Sequence, residues 1–186
     1  SIATFTSSKS ESCSQEKILT FQSCSKTYAM TGWRIGYTCG NYEVVKAMSK
    51  LQGQSTSCPN SIAQHAAITA LLGDQSEVIK MKKIFKKRRD LIVTLLNDIP
   101  HVSCFTPQGA FYVFPEASYF INKSYKGTQI KSSLDLSILI LKECHVASVA
   151  GLAFGQDDNI RLSYATSEKI ITEAVDRIAT IFSKIK

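Results

Sequence analysis

Several features that define whole classes of protein are missing from this chain of 186 residues. No apolar run is long enough to span a membrane. The amino terminus, Ser1 to Lys9, lacks the apolar stretch of a secretory signal. The six cysteines form no Cys-x-x-Cys pair and the three histidines are scattered, so neither a zinc site nor a disulfide is expected. These absences predict a soluble protein of a reducing cytoplasm, with its thiols packed as small hydrophobes.

Acidic residues are also scarce, at 15 against 22 lysines and arginines, which leaves a formal charge of +7. Much of the excess lies between Lys80 and Arg89, a stretch that raises the possibility of nucleic-acid binding. No aromatic residues alternate with these charges as a stacking platform requires. Apolar residues recur there at helical spacing, namely Val78, Met81, Phe85, Ile92 and Leu95. The pattern therefore favours the solvated face of an amphipathic helix, with no nucleic-acid partner.

Apolar periodicity predicts a mixed α/β chain without internal repeats. Residues 6–17 are predicted to form a loop. The predicted strands are 18–22, 34–40, 102–105, 110–114, 146–149 and 160–164, with the third and fourth joined by a turn. The predicted helices are 42–51, 61–72, 75–98, 132–143 and a last one capped by Thr166 or Ser167.

These elements divide into three segments. Residues 1–74 hold an α/β part, residues 75–98 one long helix, and residues 99–186 a compact α+β part. The first segment has too few strands for a stable sheet of its own, so the chain is expected to begin inside a larger domain.

The segment richest in reactive side chains runs from Ser23 to Tyr37. Lys26 follows a β-type run, and an amine shielded from water can condense with an aldehyde to an imine. Ser23 adds a hydroxyl, and Arg34 adds a planar fork suited to phosphate. Together they suit an aldehyde that carries a phosphate ester, for which pyridoxal phosphate is the obvious candidate. A lone Ser-x-Ser-Lys string would not carry this inference.

Ser23 to Gly36 resembles the cofactor-attachment signature of class I aminotransferases, which are fold type I pyridoxal-phosphate enzymes. Three later segments resemble further motifs of this family in its own order. They are 54–64, Pro107 to Tyr112, and Asn159 to Ala165. The resemblance implies the carboxy-terminal half of the family fold. In that half, 1–74 is a remnant of the cofactor-binding large domain, 75–98 is the connecting helix, and 99–186 is the small domain.

The resemblance also implies roles for single residues. Lys26 matches the lysine that binds pyridoxal 5′-phosphate covalently and then moves a proton to or from the substrate. Ser23 and Arg34 match positions that bind the cofactor phosphate, and Ser25 lies beside them. Arg161 matches the arginine that pairs with the substrate carboxylate. Phe111 matches an aromatic residue that faces the site, although plain core packing is an open alternative.

Further expectations concern substrates and assembly. The resemblance favours aspartate as amino donor and 2-oxoglutarate as acceptor, in a homodimer whose loop Ser55 to Cys58 reaches the neighbouring site. Gly53 stands where one aspartate-specific subgroup has an arginine. Val149-Ala150-Gly151 lacks the proline that many relatives carry before the glycine.

The family's other half should supply the aspartate that protonates the cofactor ring, and Asp74, Asp90, Asp98 and Asp135 do not stand in a context to replace it. The chain alone is therefore expected to be weakly active or inactive. A carbon–sulfur lyase of the same fold and a non-catalytic dimerisation fragment remain alternatives.

Overall fold

A computed structural model describes residues 17–186, so the loop predicted for residues 6–17 lies outside it apart from Lys17. The chain divides into two compact units, with the boundary between Ile79 and Lys80 inside a helix. The division of the chain into a large-domain remnant, a connecting helix and a small domain stays a prediction.

The first unit is built on a short antiparallel strand pair and two helices. Its elements are β1 (Thr20–Ser23), the helical turn α1 (Cys24–Thr27), a 3-10 turn (Thr31–Trp33), β2 (Gly36–Cys39), α2 (Tyr42–Ser55) and α3 (Ser61–Leu72). β1 and β2 pair from Thr20 opposite Cys39 to Ser23 opposite Gly36. A small core of buried side chains lies beneath the turn between the strands, and it consists of Cys24, Met30, Ile35, Ala63 and Ala67.

Asparagines begin both helices of this unit. The Asn41 side chain accepts a hydrogen bond from the backbone of the first turn of α2, and Asn60 does the same for α3. α3 ends before Gly73, as predicted. α2 runs to Ser55, beyond the predicted end at residue 51. The helix continues because the glutamine-rich segment after that residue is compatible with helical backbone and no proline occurs before Pro59.

The second unit packs helices against one small sheet. Its elements are most of α4 (Ser76–Asn97), β3 (Tyr112–Val113), β4 (Ser124–Tyr125), β5 (Thr128–Gln129), α5 (Ser133–Leu139) with its π-helical extension (Ile140–Cys144), β6 (Val149–Ala150), β7 (Ile160–Ser163) and α6 (Glu168–Phe182). The sheet has the order β3-β7-β6, with both pairs antiparallel. β4 and β5 form a separate hairpin.

The last helix carries much of this unit's core. Ser167 caps α6 by accepting a hydrogen bond from the backbone of Ile170 at 3.3 Å, which confirms the predicted cap. Its buried side chains recur every three or four residues and are Ile171, Val175, Ile178, Ile181 and Phe182. Fully burying each such side chain stabilises the fold by roughly 1.5–3 kcal/mol.

The predicted hairpin of residues 102–105 and 110–114 is wrong. Tyr112 and Val113 pair with β7 instead, opposite Ser163 and Leu162. The first segment meets the chain beyond the second at one antiparallel bridge, between Ser103 and Glu116, and no ladder forms. Residues 102–105 are instead held by the side chain of Asn97, which bonds the backbone of Cys104 in both directions.

The basic stretch Lys80 to Arg89 lies on α4, as predicted. Its five lysines are exposed, and its two arginines are half-buried. The opposite side of the helix carries the apolar residues, and Ile92, Val93 and Leu96 are buried in the core. No helix within residues 17–186 is long and apolar enough to cross a membrane.

Candidate active site

The loop that carries Lys26 is fixed by the pairing of β1 with β2. Beyond the last strand pair, the backbone N–H of Cys24 donates to the carbonyl of Ile35 at 3.2 Å. The Ser23 hydroxyl oxygen accepts from the N–H of Ser25 at 3.1 Å and caps the helical turn α1. Since Cys24 is fully buried, this turn is anchored to the small core while Lys26 projects from it. Three sequence-predicted residues, Ser23, Ser25 and Lys26, therefore share one turn.

Arg34 returns to the same turn from the other strand. It lies directly before Ile35 and has φ 52° and ψ 48°, in the left-handed region that non-glycine residues rarely adopt. Such a conformation persists where the surrounding structure imposes it, and it is commonest at functional sites. Here the bond from Ile35 to Cys24 fixes the backbone on one side, and the 3-10 turn fixes it on the other. Arg34 Nη1 donates to the carbonyl of Thr31 at 3.0 Å.

This loop carries basic side chains and no acidic ones. From Thr20 to Cys39 the chain contains no aspartate or glutamate, while Lys26 and Arg34 are both cationic. Lys26 and Arg34 are exposed, and Ser25 is half-buried. The burial that the sequence suggested for the Lys26 amine is therefore not provided by residues 17–186. The arrangement combines two hydroxyls, a guanidinium and an amine, which is a donor set for a phosphate or another anion.

The other two predicted site residues lie in the second unit. Arg161 is on β7, the central strand of the sheet, and is half-buried. Phe111 directly precedes β3, and its ring lies 6.2 Å from that of Phe85 and 4.4 Å from that of Tyr112. Phe111 also packs against the main core. The structure thus brings the predicted residues together as two groups, one in each unit.

Two residues around Arg161 were not anticipated from the sequence. The guanidinium carbon lies 4.4 Å from the ring centre of Tyr112 and 4.6 Å from that of Phe154. Among residues 17–186 no carboxylate forms an ion pair with Arg161. Tyr112 lies within a motif that the sequence singles out. Phe154 lies in a 3-10 turn with no periodic signal to identify it.

Tyr164, in the same motif as Arg161, has a structural role. Its hydroxyl donates to the carbonyl of Ala110 at 3.0 Å and so ties β7 to the segment before β3. Burial raises the pKa of this phenol, and the phenol therefore stays protonated and remains a donor at neutral pH.

Comparison with known proteins identifies the family. The sequence profile described as "Aminotransferase class I and II" matches residues 4–178. This chain belongs to the class I and II aminotransferases.

Individual relatives of this family are similar over most of the chain. An aspartate/prephenate aminotransferase of Cereibacter sphaeroides is 46% identical over 164 residues, which are 88% of this chain and 41% of that protein. An aspartate aminotransferase of Rhizobium meliloti is 44% identical over 172 residues, 92% of this chain and 42% of that protein. The chain thus spans about two fifths of the length of these aminotransferases.

Solved aminotransferase structures confirm the fold. The crystal structure of the Rhizobium meliloti aspartate aminotransferase superimposes with a TM-score of 0.88 at 43% identity, covering 92% of this chain and 43% of that one. An aromatic aminotransferase from Pyrococcus horikoshii gives a TM-score of 0.82 at 34% identity, with 94% and 45% covered. The predicted family and the predicted fold, part of a fold type I aminotransferase, are therefore confirmed.

Proposed function

We propose that the whole protein transfers an amino group between an amino acid, aspartate foremost, and a 2-oxo acid such as 2-oxoglutarate. The cofactor is pyridoxal 5′-phosphate, bound through Lys26. Ser23, Ser25 and Arg34 hold its phosphate. Arg161 binds the substrate carboxylate, and Phe111 faces the substrate.

One observation carries this proposal, namely the acid-free loop between β1 and β2. Its strand register gathers Ser23, Lys26 and Arg34 in a segment, Thr20 to Cys39, that contains no aspartate or glutamate. Within residues 17–186 the Arg34 guanidinium makes one hydrogen bond, to a backbone carbonyl, and its other N–H groups are available to a phosphate. The donor set therefore fits a dianionic phosphate ester that carries an aldehyde.

The division of labour follows from these side chains. The bound cofactor supplies an electron sink for the pair of electrons left on the substrate's α-carbon. The Lys26 amine, once released from covalent attachment, accepts the α-proton and returns a proton later in the reaction. Arg161 holds the carboxylate through a bidentate pair, and this fixes the orientation of the substrate.

The substrate assignment is supported by the names of the relatives. Several proteins 40–47% identical to this chain are aspartate or aspartate/prephenate aminotransferases. Prephenate is accordingly a second acceptor to be tested beside 2-oxoglutarate. Product analysis on the whole protein should detect glutamate formed from aspartate and 2-oxoglutarate. Release of a thiol from a cysteine-derived substrate with no amino transfer would instead identify a carbon–sulfur lyase.

We also propose that the whole protein is a homodimer in a reducing cytoplasm. The loop after α2 supports the homodimer, because Thr56, Ser57 and Cys58 are all exposed and Ser57 has φ 63°. The reducing compartment is supported by the five described cysteines, which are free thiols. Sedimentation of the native chain measures the assembly directly, and a mass of one chain at micromolar concentration would contradict a dimer formed by these residues.

The cofactor assignment is tested by covalent trapping. The purified chain is mixed with pyridoxal phosphate, reduced with borohydride and digested, and the labelled lysines are mapped by mass spectrometry. We expect the label to be concentrated on Lys26, because that amine shares its turn with the phosphate-binding side chains.

Two variants make this experiment specific. Lys26→Ala should lose the dominant label, whereas Lys50→Ala, which removes an exposed lysine of α2, should leave the Lys26 label unchanged. Label spread evenly over the exposed lysines, with no loss in Lys26→Ala, would contradict a cofactor site in this loop.

A further inference from the structure

The guanidinium of Arg161 is contacted by aromatic rings from both of its neighbouring strands. Tyr112 belongs to β3, which pairs with β7 on one side, and Phe154 follows β6, which pairs with β7 on the other. The ring centres lie 4.4 and 4.6 Å from the guanidinium carbon, within the range of favourable cation–π contacts. The central strand thus presents its arginine between two rings.

Aromatic contacts orient an arginine without neutralising it. An aromatic ring attracts the cation electrostatically but carries no charge of its own, so it leaves the N–H donors without a carboxylate acceptor. Arg177 shows the alternative, because its guanidinium pairs with Glu173 at 2.5 Å on the surface of α6. Arg161 has no such partner among residues 17–186, and its bidentate edge remains available for a ligand carboxylate.

The turn that supplies Phe154 is held by polar bonds to one buried serine. The Ser133 side chain, 1% exposed, donates to Asp157 Oδ1 at 2.5 Å and accepts from the backbone N–H of Leu152 at 3.1 Å. Asp157 also accepts from the Ser133 backbone N–H at 2.9 Å. A side chain at Gly151 would overlap backbone carbonyl oxygens, so the turn closes this tightly only on glycine. These bonds and the close approach at Gly151 fix the backbone of the turn that carries Phe154.

We propose that Tyr112 and Phe154 form an aromatic clamp, two positioning residues that hold the Arg161 guanidinium ready for a carboxylate. This rests on the carboxylate role proposed for Arg161. The clamp replaces the carboxylate partner that usually orders a half-buried arginine, and so the site binds an external carboxylate without first breaking an internal ion pair.

The test follows the Nε–Hε resonance of Arg161 by NMR on the isotope-labelled chain, with Arg161→Lys identifying the peak. Phe154→Leu and Tyr112→Leu remove one ring each and keep an apolar side chain. Phe154→Tyr and Tyr112→Phe keep the ring. Phe105→Leu is the matched control, since Phe105 is 92% exposed and makes no contact with Arg161. Each protein is titrated with 2-oxoglutarate at constant ionic strength, against a parallel titration with chloride.

We expect each ring-to-leucine change to shift the Arg161 resonance away from its ring-shielded position. Carboxylate binding at that resonance should weaken by about two- to fivefold, the loss of one partly exposed cation–π contact. The variants that keep a ring, and Phe105→Leu, should match the native chain in both respects. Unchanged backbone amide spectra show that each variant is folded.

The experiment distinguishes an error in the proposed clamp from an error in the carboxylate role proposed for Arg161. If the native resonance responds to 2-oxoglutarate and the leucine variants respond equally, the clamp is overturned and the carboxylate role stands. If the native resonance responds no more to 2-oxoglutarate than to chloride, the carboxylate role of Arg161 is overturned together with the clamp. If the leucine variants leave the Arg161 resonance unshifted, the rings do not hold the guanidinium, and the clamp is overturned.

Discussion

Two buried serines on α5 should respond in opposite ways to the same mutation. Ser133 is 1% exposed and bonds both Asp157 and the backbone of Leu152. Ser137, one turn later, is 7% exposed, and its hydroxyl has no hydrogen-bond partner in the part of the chain that the structure describes. Ser133→Ala deletes a hydrogen bond to a charged group and the bond accepted from the Leu152 N–H, at a cost of about 1.5–3 kcal/mol. Ser137→Ala deletes a buried hydroxyl that makes no bond, so its effect should lie near zero or be stabilising.

The measurement is urea unfolding followed through NMR intensities of amides in Lys80–Lys186, because the chain has two units and a whole-chain signal would mix them. With a slope of about 2 kcal/mol per molar urea, the expected loss for Ser133→Ala lowers the midpoint by about 1 M. Equal destabilisation by both changes would refute the reasoning, because the loss of stability would then not depend on whether the deleted hydroxyl is hydrogen-bonded. A loss below about 0.5 kcal/mol for Ser133→Ala would refute it too, since the Asp157 bond would then contribute nothing net.

Three further predictions concern two buried thiols, one paired carboxylate and one helix cap. Burial raises the pKa of two thiols to about 11, so at pH 8 only about a thousandth of each is thiolate and a disulfide reagent should modify them only after unfolding. The exposed thiols should react at once. The buried pair is Cys104 and Cys144, and the exposed pair is Cys39 and Cys58. The Lys126 ammonium, 2.8 Å away, lowers the pKa of Glu143, with help from a tyrosine hydroxyl. The contribution of the Glu143 carboxylate to the free energy of unfolding is complete above its ordinary pKa of 4.5 and is lost as the pH falls through its lower pKa in the folded chain. Glu143→Gln should remove this contribution to the pH dependence of urea midpoints measured between pH 7 and pH 3. Ser167→Ala should cost about 1 kcal/mol in thermal unfolding through loss of the α6 cap, whereas Ser167→Asp should cost little.

The sequence predicted those parts of the fold that depend on neighbours along the chain. The cap at Ser167 and the apolar stripe of α6 are local patterns, and both are confirmed. The end of α3 at Gly73 is equally local. The turn around Lys26 was predicted on other grounds. A four-residue helix gives no periodic signal, and only the resemblance of Ser23 to Gly36 to a family motif pointed to it.

Contacts between distant residues could not be predicted in this way. Tyr112 and Val113 look like one arm of a local hairpin, but their partners lie some 50 positions later on β7, and alternation alone does not name the partner strand. Phe154 reaches Arg161 because a side chain from α5 ties down its turn, which is a contact across about 20 residues. The β4–β5 hairpin was missed because each strand has only two residues.

Ion pairing with carboxylates divides the arginines of the chain into two groups. The chain has five arginines, and Arg89 and Arg177 each pair with a carboxylate. Arg34 and Arg161, which the family motifs single out, form no ion pair among residues 17–186. Arg88 is the fifth, and its guanidinium lies over Phe85, three residues earlier on the same helix. Since a contact at that spacing is local to α4, Arg88 belongs with the scaffold. Ion pairing alone therefore does not distinguish Arg34 and Arg161 from Arg88, and their proposed anion-binding role rests on where they lie, beside the β1–β2 turn and on β7.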